Sequence, residues 1–410
     1  MDTMDPLTRR ALFRALVAFL AVFLLGSAGL FAIDTLRGSG PVEAEPSPTV
    51  SPSPGVSLPE TWLVWVPSGL PEGFGEQLTV VNAVGDVTVA TGDIAWMTSS
   101  ADEAGVPVDA ASEPYLIPID VTGVEPAFTS FVPQPERQLV ADLGPGQGIL
   151  SESAAGLRGL GAGATMTFGD EDVEVVGTLP DELMGGYELL MMRPSAERIG
   201  VTHERYALFH VREGLVPDPE RLAALFLPYV PPDFPYGSVE VRAPGQTRYL
   251  RANDRELPPV LLKQRFGEFR AIPDPQDPGP LQVDPAWVSE HIASDTLPVI
   301  GGVTCHEQAI RALRRAMNGL GQAAVTAIQS VGDCYEAVAD PGDPDGPLTA
   351  RAFGAAIDLN PATNDEGDPP DQPRKLVTAM GKAGFGWGGV DAYPQGATFR
   401  WNRAAAPAEG

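Results

Sequence analysis

The spacing of apolar positions changes along the chain, and each change marks a segment. From Ala15 to Ile33 the residues are continuously uncharged and mostly apolar, with Arg9, Arg10 and Arg14 just before them. At about 1.5 Å per helical residue such a run suffices to cross a bilayer core of roughly 30 Å. Basic residues on one side and acidic, Pro-rich sequence on the other orient it with the N-terminus in the cytoplasm and the rest outside. Ser27-Ala28-Gly29 supplies small residues near the end of the run, so a cleaved signal peptide is the alternative.

The pattern then breaks. Gly38 to Leu58 is rich in Pro and Ser, as in Pro46-Ser47-Pro48 and Ser51-Pro52-Ser53-Pro54, and has too little apolar surface to build a core. From Thr61 onward, short β-rich runs such as Leu78-Thr79-Val80-Val81 and Val173-Glu174-Val175-Val176 alternate with Gly-rich turns and a few helix-like stretches, which predicts an α+β domain. Ser151 is placed to cap a short helix, and Gly161 and Gly163 to turn into a strand pair. A Pro-rich stretch, Ile272 to Pro280, reads as a loop. Glu307 to Leu320 has helical periodicity, with Ile310, Leu313, Met317 and Leu320 on one side and Arg311, Arg314 and Arg315 largely on the other, a solvated face.

The expected organisation is a cytoplasmic tip and transmembrane helix over 1–37, a stalk over 38–60, an α+β domain over 61–255, a second α+β domain over 256–403 with a small antiparallel sheet, and a tail over 404–410. With 27 Lys+Arg against 54 Asp+Glu the net charge is -27, which repels nucleic-acid phosphates and excludes that class of partner. The membrane, through the N-terminal helix, is the expected partner, and the location is the cell membrane, single-pass, with the later domains extracytoplasmic.

Cys305 and Cys334 are the two cysteines. Outside the cytoplasm a disulfide is the default, while zinc ligation by both thiolates would lack the short C-x-x-C spacing. His203 and His210 fit neither one helical face nor one strand face, so they read as unrelated histidines.

Two stretches resemble known families. Gly148 to Leu157, Gly161 to Thr167 and Val173 to Gly177 are similar to the extracytoplasmic core domain of macrolide-exporter-type ABC permeases, which implies a non-catalytic ectodomain of an exporter. The second resemblance runs from about Lys263 to Arg403. It begins with Lys263 to Phe269 and Leu297 to Gly301, then Cys305-His306, the Glu307 helix and Asp333-Cys334-Tyr335. It ends with Phe353 to Pro361, Asn364, Gly384 to Gly389 and Phe399-Arg400-Trp401. It resembles the VanY-type D-alanyl-D-alanine carboxypeptidases and L-alanyl-D-glutamate endopeptidases, zinc enzymes of the bacterial cell wall.

That family holds zinc with two histidines and an aspartate, beside a carboxylate general base. Its first pattern, Ser-x-His-x-x-Gly-x-Ala-x-Asp, falls on Thr349 to Asp358, so Asp358 is kept and Arg351 stands in place of a histidine. Its Asp-x-x-His pattern falls on Gln395 to Thr398, so an amide replaces the base and a hydroxyl replaces the last ligand. The family's substrate-binding arginine falls near Val338. A guanidinium has no acceptor and repels cations. Zinc and any other cofactor are therefore expected to be lost, with Arg351 paired to Asp358. His306, His291, Glu336 and Asp391 lie near in sequence but on none of the ligand positions. His306 reads as a helix-start residue, and Trp387 as either a packing residue or part of a peptide-binding surface with Arg351 and Asp358. The resemblance thus implies a metal-free pseudopeptidase that binds cell-wall peptide or a protein partner. An active zinc peptidase on peptidoglycan peptides and a structural ectodomain of an exporter or division complex are the alternatives.

Overall fold

In the computed structural model, residues 60–215, 217–273, 280–340 and 343–401 are described. The apolar run over 15–33, the stalk and most of the Pro-rich loop at 272–280 lie outside them. Among the described residues no helix is long and apolar enough to cross a membrane.

The first part of the chain builds a mixed sheet of eleven strands. They are β1 (Trp62–Trp65), β2 (Val84–Met97), β3 (Ser99–Ala101), β4 (Pro107–Ala110), β5 (Ile117–Val124), β6 (Gln147–Ser151), β7 (Thr165–Phe168), β8 (Glu171–Leu179), β9 (Leu189–Met192), β10 (Glu204–Val211) and β11 (Glu240–Arg242). Their order is β11-β1-β10-β2-β5-β9-β6-β8-β7-β3-β4. The β5–β9 and β6–β8 pairs are parallel and the others antiparallel. Every residue of β5 is buried, as a strand covered on both faces requires.

Local sequence explains much of this. Ser151 lies in extended backbone and its Oγ accepts from the Ala154 N–H, capping the helix Glu152–Arg158, and the chain then turns into the β7–β8 hairpin. The run at Leu78–Val81 is not a strand. It forms the end of a short helix, Phe74–Thr79, because Phe74 and Leu78 anchor one helical face in the core while Val80 stays 69% exposed.

The second part contains a two-stranded hairpin, Ile292–Leu297 with Gly301–His306, the helix Glu307–Gly319, and a three-stranded sheet in which Thr398–Trp401 lies between Ala356–Asp358 and Phe385–Trp387. Ile310, Leu313 and Met317 are buried against Ile357, Leu376 and Phe399, each such side chain contributing about 1.5–3 kcal/mol. Arg311 and Arg315 are exposed, and Arg314 reaches Asp295. Cys305 and Cys334 form a disulfide with a Cα–Cα distance of 5.2 Å.

The two parts are joined by the helix Pro259–Phe266. Val260 enters the core of the large sheet, and Phe266 and Phe269 pack with Trp287 and Phe353 of the second part. Ile94 and Trp96 of β2 border that aromatic cluster.

Candidate functional site

Arg351 comes from a single 3₁₀ turn, Ala350–Phe353, that ends at Gly354 in the left-handed region (φ 64°). A Cβ on Gly354 would lie 2.6 Å from the His306 nitrogen, so this crossing needs glycine on both counts. The strand Ala356–Asp358 follows at once and brings Asp358 back beneath Arg351. Arg351 Nη1 lies 2.7 Å from Asp358 Oδ2, and Nη2 donates to Asp358 Oδ1 at 2.8 Å and to Thr398 Oγ1 at 3.2 Å. Thr398 Oγ1 in turn donates to Asp358 Oδ1 at 2.8 Å. Both charged side chains are close to nine-tenths buried, at 11% and 12% exposure. The carboxylate therefore has a fork of donors on it, where a cation would need its lone pairs. Glu366 is held above the usual carboxylate range, first by desolvation; Arg351 opposes this, and Asp358 and Glu336 add to it.

The other positions singled out in the sequence have structural partners. Gln395 is buried, its N–H donating to the Gly388 carbonyl and its own carbonyl accepting from Thr398. Trp387 is half-buried and its Nε1 donates to the Gly396 carbonyl at 2.7 Å, tying down the loop before Thr398. Asn364 donates to the Asn360 carbonyl and accepts from the Asp371 N–H. Asp391 pairs with Arg400 at 2.5 Å.

His306 caps the Glu307 helix, accepting at Nδ1 from the Gln308 N–H, while Nε2 faces the Phe266 carbonyl at 3.1 Å. Burial pushes its pKa down to about 4, with the Phe266 carbonyl opposing and His291 adding to the fall. His291 stacks on Trp287. His203 contacts Asp93 at 2.8 Å and His210 stacks on Phe131, so each has its own structural partner. Among the described residues no three His, Cys, Asp or Glu side chains are grouped to hold a metal ion.

A second charged cluster was not legible as a site. Arg158, at the end of the Ser151-capped helix, contacts Glu188 at 2.9 Å and Glu268 at 2.5 Å. Lys263 contacts Glu188 at 2.6 Å and Glu268 at 3.1 Å, and its Nζ also donates to the Pro118 carbonyl. Arg158, Glu188 and Lys263 are each no more than 2% exposed at the side chain and Glu268 is 18% exposed, so the network is a largely buried joint between the large sheet and the second part. Burial alone would raise the Glu268 pKa, but Lys263 and Arg158 reverse this and hold it at about 2. Beside it, Arg251 contacts Asp120 at 2.9 Å and lies over the Tyr187 ring. The one signal in the sequence was Lys263 and Glu268 inside the first motif of the peptidase resemblance.

No family model matches the chain, and no curated protein matches it significantly. Solved structures do match part of it. The periplasmic region of MacB from Actinobacillus actinomycetemcomitans is 11% identical, with a TM-score of 0.29 over 46% of this chain and 90% of that one. The extracellular domain of the noncanonic ABC-type transporter YknZ from Gram-positive bacteria is 15% identical, with a TM-score of 0.28 over 44% of this chain and 99% of that one. At these scores the likeness carries no inference about what this chain does.

Proposed function

We propose that this chain is a non-catalytic ectodomain of a membrane-associated assembly, in which the part resembling VanY-type peptidases serves as a partner-binding module without zinc. One observation carries the reading. The Arg351 guanidinium donates to Asp358, the single carboxylate that the resemblance would assign to the metal, and Thr398 completes the set with a third donated hydrogen bond. In this reading the guanidinium and the hydroxyl occupy most of the lone pairs that a cation would need, and the fixed positive charge beside them disfavours one. The buried joint through Arg158, Glu188, Lys263 and Glu268 supports a scaffolding role, because it ties the two parts together at the cost of desolvating four charges. In this reading the apolar run over 15–33 anchors the assembly in the membrane.

The test is zinc content after exposure to excess zinc and extensive dialysis, together with hydrolysis of a peptide ending in D-Ala-D-Ala. The expected result is far less than one zinc per chain and no cleavage. Stoichiometric zinc would overturn the reading and restore the peptidase, and specific retention on purified peptidoglycan would shift the partner from a membrane-complex protein to the cell wall.

A further inference from the structure

The large sheet and the second part also meet at a seam built from residues other than the Arg158 joint. The rings of Tyr236 and Tyr393 are 4.1 Å apart, and Ser238 Oγ donates to the Ala392 carbonyl at 3.2 Å. Ala392 and Tyr393 border a cavity of about 10 Å³, whose lining includes Trp65, Arg242, Asn253, Glu256 and Asp391. Trp65 belongs to β1, Glu256 to the segment leading into the helix Pro259–Phe266, and Asp391 to the turn that follows Trp387. Three stretches far apart in sequence therefore share this one cavity.

Each of the three brings a buried polar atom with no hydrogen-bond partner among the described residues: Trp65 Nε1, Glu256 Oε1 and Asp391 Oδ1. Trp65 is 1% exposed, so its N–H cannot turn to bulk solvent. Arg400 holds the two carboxylates side by side, with Nη1 2.5 Å from Asp391 Oδ2 and Nη2 2.8 Å from Glu256 Oε1. The second contact is an ion pair out of hydrogen-bond alignment, which leaves Glu256 Oε1 able to accept. Unpaired buried polar groups are rare in folded proteins, and where they surround a small cavity a bound water is their usual partner.

The chemistry of the lining selects the occupant. A cation is disfavoured by the indole N–H and by two guanidiniums, Arg400 and the Arg242 group that lies 4.7 Å over the Trp65 ring. An anion is disfavoured by two carboxylates that share the Arg400 charge. A cavity of about 10 Å³ has room for about one water and nothing larger. What fits is a neutral molecule that accepts one hydrogen bond and donates two. We infer that the cavity binds a single water as a fixed part of the fold, accepting from Trp65 Nε1 and donating to Asp391 Oδ1 and Glu256 Oε1. This water links β1 of the large sheet to the second part, in parallel with the direct ion pairs of the Arg158 joint. The inference does not depend on the non-catalytic reading above.

The test is a set of water–indole NOE and ROE spectra on the full-length protein in detergent micelles, isotope-labelled at the tryptophan nitrogens. The chain has six tryptophans, and Trp65→Phe assigns the Trp65 signal by its disappearance. The Trp65 N–H should give a cross-peak to water with the sign of a bound rather than a surface water. Ala392→Val fills the cavity without removing a polar partner and should abolish that cross-peak while the other indole signals keep their positions. Asp391→Asn keeps an acceptor oxygen in place and should keep it. Absence of the cross-peak in the unmodified protein, or its survival in folded Ala392→Val, would overturn the inference. Should Ala392→Val fail to fold, the unmodified protein and Asp391→Asn still decide the matter, since loss of the cross-peak in a folded Asp391→Asn chain also overturns it.

Discussion

Arg351 and Asp358 share two contacts, Nη1 to Oδ2 at 2.7 Å and Nη2 to Oδ1 at 2.8 Å, and the Thr398 hydroxyl closes the set. The bidentate form matters more than the charge count, since a planar guanidinium matches both carboxylate oxygens at once and a lysine could not. The pair is local in sequence, seven residues apart, yet it forms only because the 3₁₀ turn and Gly354 fold the chain back on itself.

Replacing Arg351 by Met leaves a nearly buried carboxylate with a hydroxyl as its remaining partner here. The expected loss is about 3 kcal/mol, as when one member of a buried pair is removed. The double variant Arg351→Met/Asp358→Asn should recover most of it. Urea denaturation of the two single variants and the double gives the coupling directly, and an additive result would show that the pair contributes nothing.

The part of this site that could be read from sequence was the part written locally. Arg351, Asp358 and Thr398 followed from laying a motif on the chain, the Ser151 cap and the Glu307 helix from short patterns, and the disulfide from a count of two cysteines. The joint at Arg158, Glu188, Lys263 and Glu268 could not be read this way. Its members are up to 110 residues apart, and charged residues in isolation read as solvated surface until a fold buries them. Leu78–Val81 failed for the complementary reason: a four-residue apolar run does not distinguish a strand from a helix end, and core contacts of Phe74 and Leu78 decided it.

The joint predicts a specific response to mutation. Arg158→Met leaves Glu188 with Lys263 as its remaining ion-pair partner and removes one of two cations from Glu268. A loss of about 3–5 kcal/mol is expected. Hydrogen exchange should quicken in both Glu152–Arg158 and Pro259–Phe266, elements far apart in sequence. Faster exchange in the first alone would show that the cluster does not couple the two parts.

Acid should act on this joint with opposite signs at two carboxyls. The folded pKa of Glu268 is depressed to about 2, so its contribution is complete above about 4.5 and is lost as the pH falls toward 2. Asp120 is raised by burial to about 6, against the pull of Arg251, so it costs stability progressively as the pH rises from about 4 to 6. Asp120→Asn should therefore steepen the rise of stability with pH across 4–6. Denaturation midpoints measured at several pH values would show it, and an unchanged slope would count against a raised Asp120.

His306 gives a probe that can be read in the intact protein. A histidine with its folded pKa lowered to about 4 binds fewer protons than the unfolded chain between pH 4 and 6.5. Its contribution is thus complete above about 6.5 and is lost as the pH falls through that window. The imidazole ring resonances should titrate near 4 rather than 6.5. His306→Ala should remove this pH dependence and cost about 1–2 kcal/mol at neutral pH, through the lost Gln308 cap and the lost bond to Phe266. His306→Asn restores the cap, because Asn accepts the helix N–H equally well, but carries no titration. The comparison therefore separates the two roles: if Asn recovers stability at pH 7 and the slope below 6.5 stays flat, the cap and the buried neutral ring contribute independently, and if the slope persists, the acid sensitivity belongs to another group.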